Sequence, residues 1–384
     1  MNNNWAYKTF GEVGTFLRGK SIQKADFVEK GLPCIHYGQI HTKFGVSVDK
    51  HLSEIPLEVY NKSIIASPGD VIIAITSEDL EGSCKSTAWL GDYDVAVSAH
   101  AAVYKHNLNP KFIAYYLRSN SFYTEKEKYA RGFKVLEIKP TDIARIPLPV
   151  PSFDVQESVV NELDNINELI GIKKMQLKDL ESLSKSIFYE MFGDPVVNDK
   201  KWEVKKLGDV CKFTQGMQVP IEEQQLSKEN GLVQFLRIID FTQGKDAPRY
   251  VKCTSDKYLL HEREIAIVRY GTPGFVCYGK IGAIANNLFK ITPNQKDMFV
   301  FEFLVHWLNT EAFQSAVKNK QYGAALQAIK FSTIQGIYII IPSLTVQRSF
   351  ATRISQIEKQ KQYIEESIKE LESLLASRMQ YWFD

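Results

Sequence analysis

The sequence predicts an α+β protein in which two tandem, mainly-β globular domains alternate with two long α-helices. The helices are expected to pair as an antiparallel coiled coil within a pseudo-twofold internal repeat. Three observations lead there. First, residues 154–192 contain no proline and a single glycine, Gly171, and carry Leu163, Ile166, Ile170, Leu177, Leu180, Ile187 and Met191 at steps of three, four or their sums. That heptad period is a coiled-coil seam, and at 1.5 Å per residue it runs for roughly 55–60 Å. Second, a shift of 191 residues places Ile354, Ile357, Ile364, Ile368, Leu371, Leu375 and Trp382 on the same seam as Leu163, Ile166, Lys173, Leu177, Leu180, Ser184 and Met191. Third, the segments that precede the two helices resemble each other.

That resemblance can be followed from Trp5 onward. WAYKTFGEVGTFLRG (5–19) matches WEVKKLGDVCKFTQG (202–216), pairing Trp5/Trp202, Gly11/Gly208, Val13/Val210, Phe16/Phe213 and Gly19/Gly216. PCIHYGQIHT (33–42) and VQFLRIIDFT (233–242) occupy the next matching position. GDVIIAI (69–75) and EIAIVRY (264–270) read as short strands leading into polar or Gly/Pro loops. KFIAYYLRSNSFYTEKE (111–127) and FVFEFLVHWLNTEAFQSAVKN (299–319) each read as one helix. A final strand ends at Pro149–Pro151 or at Pro342, where Gly132/Gly323, Ile138/Ile329, Lys139/Lys330, Ile143/Ile334, Ile146/Ile337, Pro151/Pro342 and Gln156/Gln347 all keep the 191 spacing. The period is far longer than a solenoid unit, so a domain plus a helix has been duplicated. The expected divisions are 1–150 and 194–341 for the globular domains, and 151–193 and 342–384 for the helices. The linker from Gly193 to Lys201 is short. Antiparallel helices would put the exit and re-entry of the second domain side by side, whereas parallel ones would make it bridge their full length.

Composition narrows the function classes. A chain of 384 residues favours two domains, and 44% apolar with 12% aromatic content fits a packed chain. No run of 18 apolar residues spans a membrane, and no secretory pattern is seen near residue 1. Five cysteines (Cys34, Cys84, Cys211, Cys253, Cys277) without CxxC pairing argue against a disulfide framework or zinc site and fit the cytoplasm. Net charge is +2, but residues 1–153 hold 18 Lys and Arg against 16 Asp and Glu, and residues 193–344 hold 19 against 15. The helix 154–192 holds 4 against 8. Positive charge therefore sits on the globular segments, a distribution permissive for phosphate contact although the low net charge by itself argues weakly against a nucleic-acid binder.

No catalytic pattern survives inspection. Asn109-Pro110-Lys111-Phe112 is similar to the NPP[FY] of amino-methyltransferases, but Lys111 stands where the second proline belongs, and a helix N-terminus explains it better. Gly271-Thr272-Pro273-Gly274 is neither GxGxxG nor a P-loop. Asp199-Lys200-Lys201 lies in the linker without a second carboxylate, and the seven histidines show no ligand spacing. The chain is expected to be no enzyme and to hold no metal.

Two diverged heads suit two different half-sites on duplex DNA, whose local dyad a twofold protein matches. The candidate readers in the first head are His36, Tyr37, Gln39, His41, Lys43, Thr76, Ser77, Lys85 and His100. Those in the second are Arg237, Asp240, Thr242, Lys245, Arg269, Tyr270, Thr272, Asn286 and Asn287. Arginine fits guanine, amides fit adenine, and acids accept from cytosine N4. Lys139 and Lys330, at matched positions, are candidates for phosphate contact or plain exposed strand lysines. Tyr189, Phe192, Tyr381, Trp382 and Phe383 cluster at the helix ends and are expected to pack on the neighbouring head.

Two diverged domains, two long helices and the doubled Pro151…Gln156 and Pro342…Gln347 boundary together resemble the specificity subunit of type I restriction-modification systems. The resemblance covers essentially 1–384. It implies that each head is a target-recognition domain reading half of a bipartite, asymmetric target in double-stranded DNA, with the helices as spacer. It also implies assembly with two adenine-methyltransferase subunits and, in the full complex, two motor-nuclease subunits. S-adenosylmethionine, ATP and Mg would bind those partners rather than this chain. Polar residues at Lys173, Ser184, Lys361 and Arg378 interrupt the seam and leave its register open. Other classes remain: a stand-alone DNA-binding protein, which near-neutral charge disfavours, and a non-catalytic coiled-coil scaffold, which would bind no specific sequence.

Overall fold

The computed structural model describes residues 5–20, 22–242, 244, 246–319 and 328–384. The chain forms two compact units, Met1–Lys174 with Glu366–Asp384, and Met175–Glu365. Each division falls inside a long helix, so head and helix segment fold together.

In the first unit a five-stranded sheet has the order Gly14–Arg18, Ala101–His106, Val71–Ala74, Ser86–Trp89, Ser47–Val48. A four-stranded sheet follows the order Ser53–Ile55, Leu32–Ile35, Val95–Val97, Ile64–Ala66. Ala6–Thr9 pairs antiparallel with Pro147–Val150, which ties the start of the domain to the strand before the helix. The run Val71–Ala74 is wholly buried because it is covered on both faces. Val71 and Ile73 pack with Phe10, Tyr104 and Phe112, while Ile72 and Ala74 pack with Trp89 and Val97. An unbroken apolar run is what a strand covered on both faces needs.

The second unit repeats this order with Cys211–Gln215, Leu288–Pro293, Ile265–Val268 and Val276–Cys277 in one sheet. Its other sheet has Tyr250–Val251, Val233–Leu236, Gly282–Ile284 and Leu259–Leu260. Equivalent backbone bonds recur at the strand ends. Ile75 N–H donates to His100 C=O at 2.9 Å and Arg269 N–H to Asn287 C=O at 2.8 Å. Ile138 N–H donates to Ile75 C=O at 3.0 Å and Ile329 N–H to Arg269 C=O at 2.9 Å. Ile75 and Arg269 thus hold one position, as do His100 and Asn287.

Two element assignments differ from those expected. Residues 111–127 form two helices, Pro110–Tyr116 and Asn120–Glu127, because the Ser119 hydroxyl accepts from Phe122 N–H and starts a new helix. Residues 299–319 divide likewise into Phe301–Leu308 and Glu311–Asn319, with Thr310 Oγ1 accepting from Phe313 N–H. The matched stretches 33–42 and 233–242 each contain strand residues, from Leu32–Ile35 or Val233–Leu236, followed by a short helix, Tyr37–Thr42 or Ile238–Thr242.

The long helices are Phe153–Phe192 and Leu344–Phe383, 40 residues each. In the first unit Val159, Val160 and Leu163 enter the core beside Phe112 and Ile113, and Phe383 joins from the second helix. Glu162 accepts from Trp382 Nε1 at 2.8 Å and from the Arg378 guanidinium, and Lys174 pairs with Glu372 at 2.9 Å. In the second unit Phe188, Phe192, Phe350, Ile354 and Ile357 pack around Phe303, and Arg353 lies 3.8 Å from Glu190. Among the seam residues Leu163, Ile166, Ile170, Ile354, Ile357 and Ile368 are buried. Leu177, Leu180, Ile187, Ile364, Leu371 and Leu375 are half-buried. Of the polar interruptions, Ser184 bonds back to Leu180 C=O, Lys361 pairs with Glu358, and Arg378 pairs with Glu162.

Candidate nucleic-acid interface

In the first unit Tyr37, His41, Thr76, Ser77, Lys85 and His100 line one cleft of about 1050 Å³. They come from four separate stretches of the sequence. The short helix Tyr37–Thr42 brings in Tyr37 and His41; His41 Nε2 is 3.1 Å from Thr76 C=O, and Lys85 Nζ donates to His41 C=O at 2.7 Å. The Tyr37 and His100 rings lie 5.1 Å apart. His100 is exposed, lines the cleft and holds a φ of +67°, a left-handed backbone uncommon outside glycine. Glu78, Asp79 and Glu81 give the lining an acidic rim, and Tyr123 lines the cleft as well. Arg118 also lines the cleft, but its guanidinium donates to Gly45 and Ser86 carbonyls at 2.8 Å. Lys126 is buried and donates to Ser83 C=O at 2.6 Å.

Three of the candidates in this head stand elsewhere. His36 is buried, and its Nδ1 accepts from Gly38 N–H at 3.2 Å; burial holds its pKa below the usual imidazole value. Gln39 accepts from His36 N–H at 3.0 Å and donates to Ser53 Oγ at 2.7 Å. Both therefore cap the short helix instead of facing a ligand. Lys43 lies exposed just past that helix, outside the cleft. Lys139 and Lys330 are exposed, but they are the residues before short helices rather than strand residues.

In the second unit Arg237 is not free. Its Nε and a terminal nitrogen bind Asp240 at 3.1 and 3.2 Å, and Ala247 C=O accepts at 3.2 Å. Asp240 is 7% exposed and also accepts from Arg237 N–H at 2.8 Å, so the pair shapes the strand-to-helix turn. Thr242 is exposed and bonds back to Ile238 C=O. Lys245 lies outside the described residues. Arg269, Tyr270, Asn286 and Asn287 do come together, since Tyr270 Oη donates to Asn286 Oδ1 at 3.3 Å and Arg269 is bonded to Asn287 through the backbone. The Arg269 guanidinium sits 5.7 Å from the Phe289 ring centre. Thr272 is exposed on the turn between Gly271 and Gly274, whose φ values are +95° and +89°.

Residues that the sequence reading passed over also belong to the first cleft: Tyr123, Val135 and the acidic rim. The Gly132 spacing was the one signal near any of them. Tyr123 sits on a helix that reads as packing.

The geometry can be set beside known proteins. The family described as "Type I restriction modification DNA specificity domain" matches residues 2–182 and again 199–373. The chain belongs to this DNA-specificity family. Among relatives, the type I restriction enzyme StySPI specificity subunit of Salmonella potsdam is 21% identical over 93% of this chain and 82% of its own length. The MjaIX specificity subunit of Methanocaldococcus jannaschii is 24% identical over 66% of this chain and 63% of its own length. The fold is similar to a structure titled as the type I restriction-modification S subunit from M. genitalium, with a TM-score of 0.55, 13% identity and coverage of 98% of this chain and 96% of that one. A chain from a study of type I R-M complex assembly gives a TM-score of 0.61 at 19% identity, covering 99% and 97%. The DNA specificity domain thus occurs twice in tandem in this chain. No helix among the described residues is long and apolar enough to cross a membrane.

Proposed function

We propose that this specificity subunit reads a bipartite, asymmetric target in duplex DNA, one half per domain, for a cytoplasmic type I complex with two adenine-methyltransferase and two motor-nuclease subunits. The observation that carries the reading is the convergence of Tyr37, His41, Thr76, Ser77, Lys85 and His100 on one cleft. Arg269, Tyr270, Asn286 and Asn287 form the counterpart, with Lys139 and Lys330 exposed for phosphate at matched positions. S-adenosylmethionine, ATP and Mg belong to the partners in this reading.

The helices serve as spacer and docking surface. In the first unit Glu162 meets Arg378 and Lys174 meets Glu372, so partner numbers fall along one helix as they rise along the other. In the second unit Glu190 meets Arg353, and Leu180 and Leu183 share a groove with Gln360 and Ile364. Both observations support an antiparallel coiled coil and a pseudo-twofold chain. Exposed Leu169, Ile172, Met175, Leu183, Tyr363 and Leu374 lie along the helices and support methyltransferase docking there.

The test is substitution in the complex. Tyr37→Ala with His100→Ala should weaken or relax recognition at one half of the methylated motif and leave the other half intact. Unchanged methylation at both halves would count against this cleft as the reader.

A further inference from the structure

Phe133 is 99% exposed, the most accessible large apolar side chain among the described residues. Such a ring has no folding role, yet the loop that carries it is held firmly. Arg131 N–H donates to Glu137 C=O at 3.1 Å and Glu137 N–H returns to Arg131 C=O at 2.7 Å, closing residues 132–136 into a tip. The Glu137 carboxylate is pinned by Arg18 at 2.7 Å. Gly132 has a φ of +117°, and a Cβ there would lie 2.0 Å from Val135 C=O, so this turn admits glycine alone. Leu136 and Glu137 pair in register with Ser77 and Thr76, and Val135 lines the cleft beside them. The tip is therefore a continuation of the proposed DNA-reading surface, and exposed Lys134 and Arg131 flank the ring with positive charge, Arg131 Nη1 donating to the Lys128 and Ala130 carbonyls at 3.3 Å.

We infer that Phe133 is a wedge that stacks on or between base pairs beside the first half-site while Arg131 and Lys134 hold the adjoining phosphates. An apolar ring displayed on a pre-ordered, cationic loop matches the way side chains unstack a base step. Offered to water, the ring gains nothing; against an opened step it gains stacking and apolar contact, and the fixed loop loses little entropy in delivering it. The position 191 residues on is Ala324, also preceded by glycine, so the wedge belongs to one half of the target only. Distortion of the DNA is then one-sided.

This inference rests on the recognition role proposed above, and the experiment separates the two. The full chain is purified with its methyltransferase subunits and bound to duplexes carrying the motif found by methylation mapping, with 2-aminopurine placed at successive steps through each half-site. Apart from the target adenines, which the methyltransferases extrude in both half-sites, wild-type complex should raise the fluorescence at one step beside the first half-site and at none beside the second. Phe133→Ala should abolish that rise and weaken binding about tenfold, and Phe133→Trp should keep both. Equal fluorescence and affinity in Phe133→Ala would overturn the wedge while leaving the recognition role standing. Loss of methyltransferase from the Phe133→Ala complex would overturn it in favour of a protein contact. Failure of the wild-type complex to bind any mapped duplex would remove the recognition role and the wedge with it.

Discussion

Gln156 and Gln347 show how a single side chain can fasten a head to its helix. Gln156 Nε2 donates to Pro151 C=O at 2.9 Å while its Oε1 accepts from Asn109 N–H at 2.9 Å. Gln347 does the same with Pro342 C=O at 2.8 Å and Val300 N–H at 2.8 Å. Both amides are buried, so truncation leaves backbone groups dry and unpaired. Gln156→Ala and Gln347→Ala should each lower stability by about 1–3 kcal/mol, measured by denaturant unfolding. His106 provides a pH test at the same scale. Desolvation drives its pKa from the ordinary imidazole value of 6.5 down to about 4, and its Nε2 has no hydrogen-bond partner among the described residues. The unfolded chain therefore binds the extra proton first, and stability is lost as pH falls from about 6.5 toward 4. Between pH 7 and 5 the loss should be about 2 kcal/mol, and His106→Gln should flatten it; a flat wild-type profile would contradict the assignment. The Pro…Gln boundary was legible in the sequence, whereas its reason was not, because Asn109 and Val300 are 47 residues from their partners. His36, Gln39 and Arg237 looked like free readers for a related reason: a polar side chain in a short sequence window does not reveal that its partner is a nearby cap or carboxylate. Arg237→Ala is accordingly expected to lower the melting temperature of the second domain, by orphaning buried Asp240, before it alters any sequence preference.

At the scale of elements the long helices were the plainest signal, since a seven-residue apolar period over 40 residues admits few other structures. What the period did not reveal is the gradient along the seam. Leu163 is 0% exposed because it enters a head core, whereas Leu177 is only half-buried. Leu163→Ala should cost about 2–5 kcal/mol and Leu177→Ala well under half of that, as read by thermal unfolding. Similar losses at both positions would mean that the seam, rather than the embedded ends, holds the helices. The broken helices at Ser119 and Thr310 were missed in both repeats. In each case a hydroxyl cap interrupts an apolar pattern that otherwise runs straight through, and the two caps are themselves 191 residues apart. The interruption was written in the sequence as a capping residue at the same place twice, but periodicity outweighed it.

For the whole molecule, duplication is the feature from which function follows. Matched strand orders, matched bonds at Ile75 and Arg269, and divergent side chains at those positions make two sites with one frame and different chemistry. The cleft with Tyr37, Lys85 and His100 in one domain and the Arg269–Asn287 group in the other present different chemistry, so on the proposed reading the target is expected to be asymmetric. The most direct measurement is genome-wide mapping of adenine methylation in cells expressing this chain with its cognate methyltransferase, against the methyltransferase alone. The account predicts a bipartite motif that appears only with this chain, and a change in one half alone when residues 1–150 are exchanged for another domain. A stable complex that methylates no defined motif, or an exchange that alters both halves together, would contradict it.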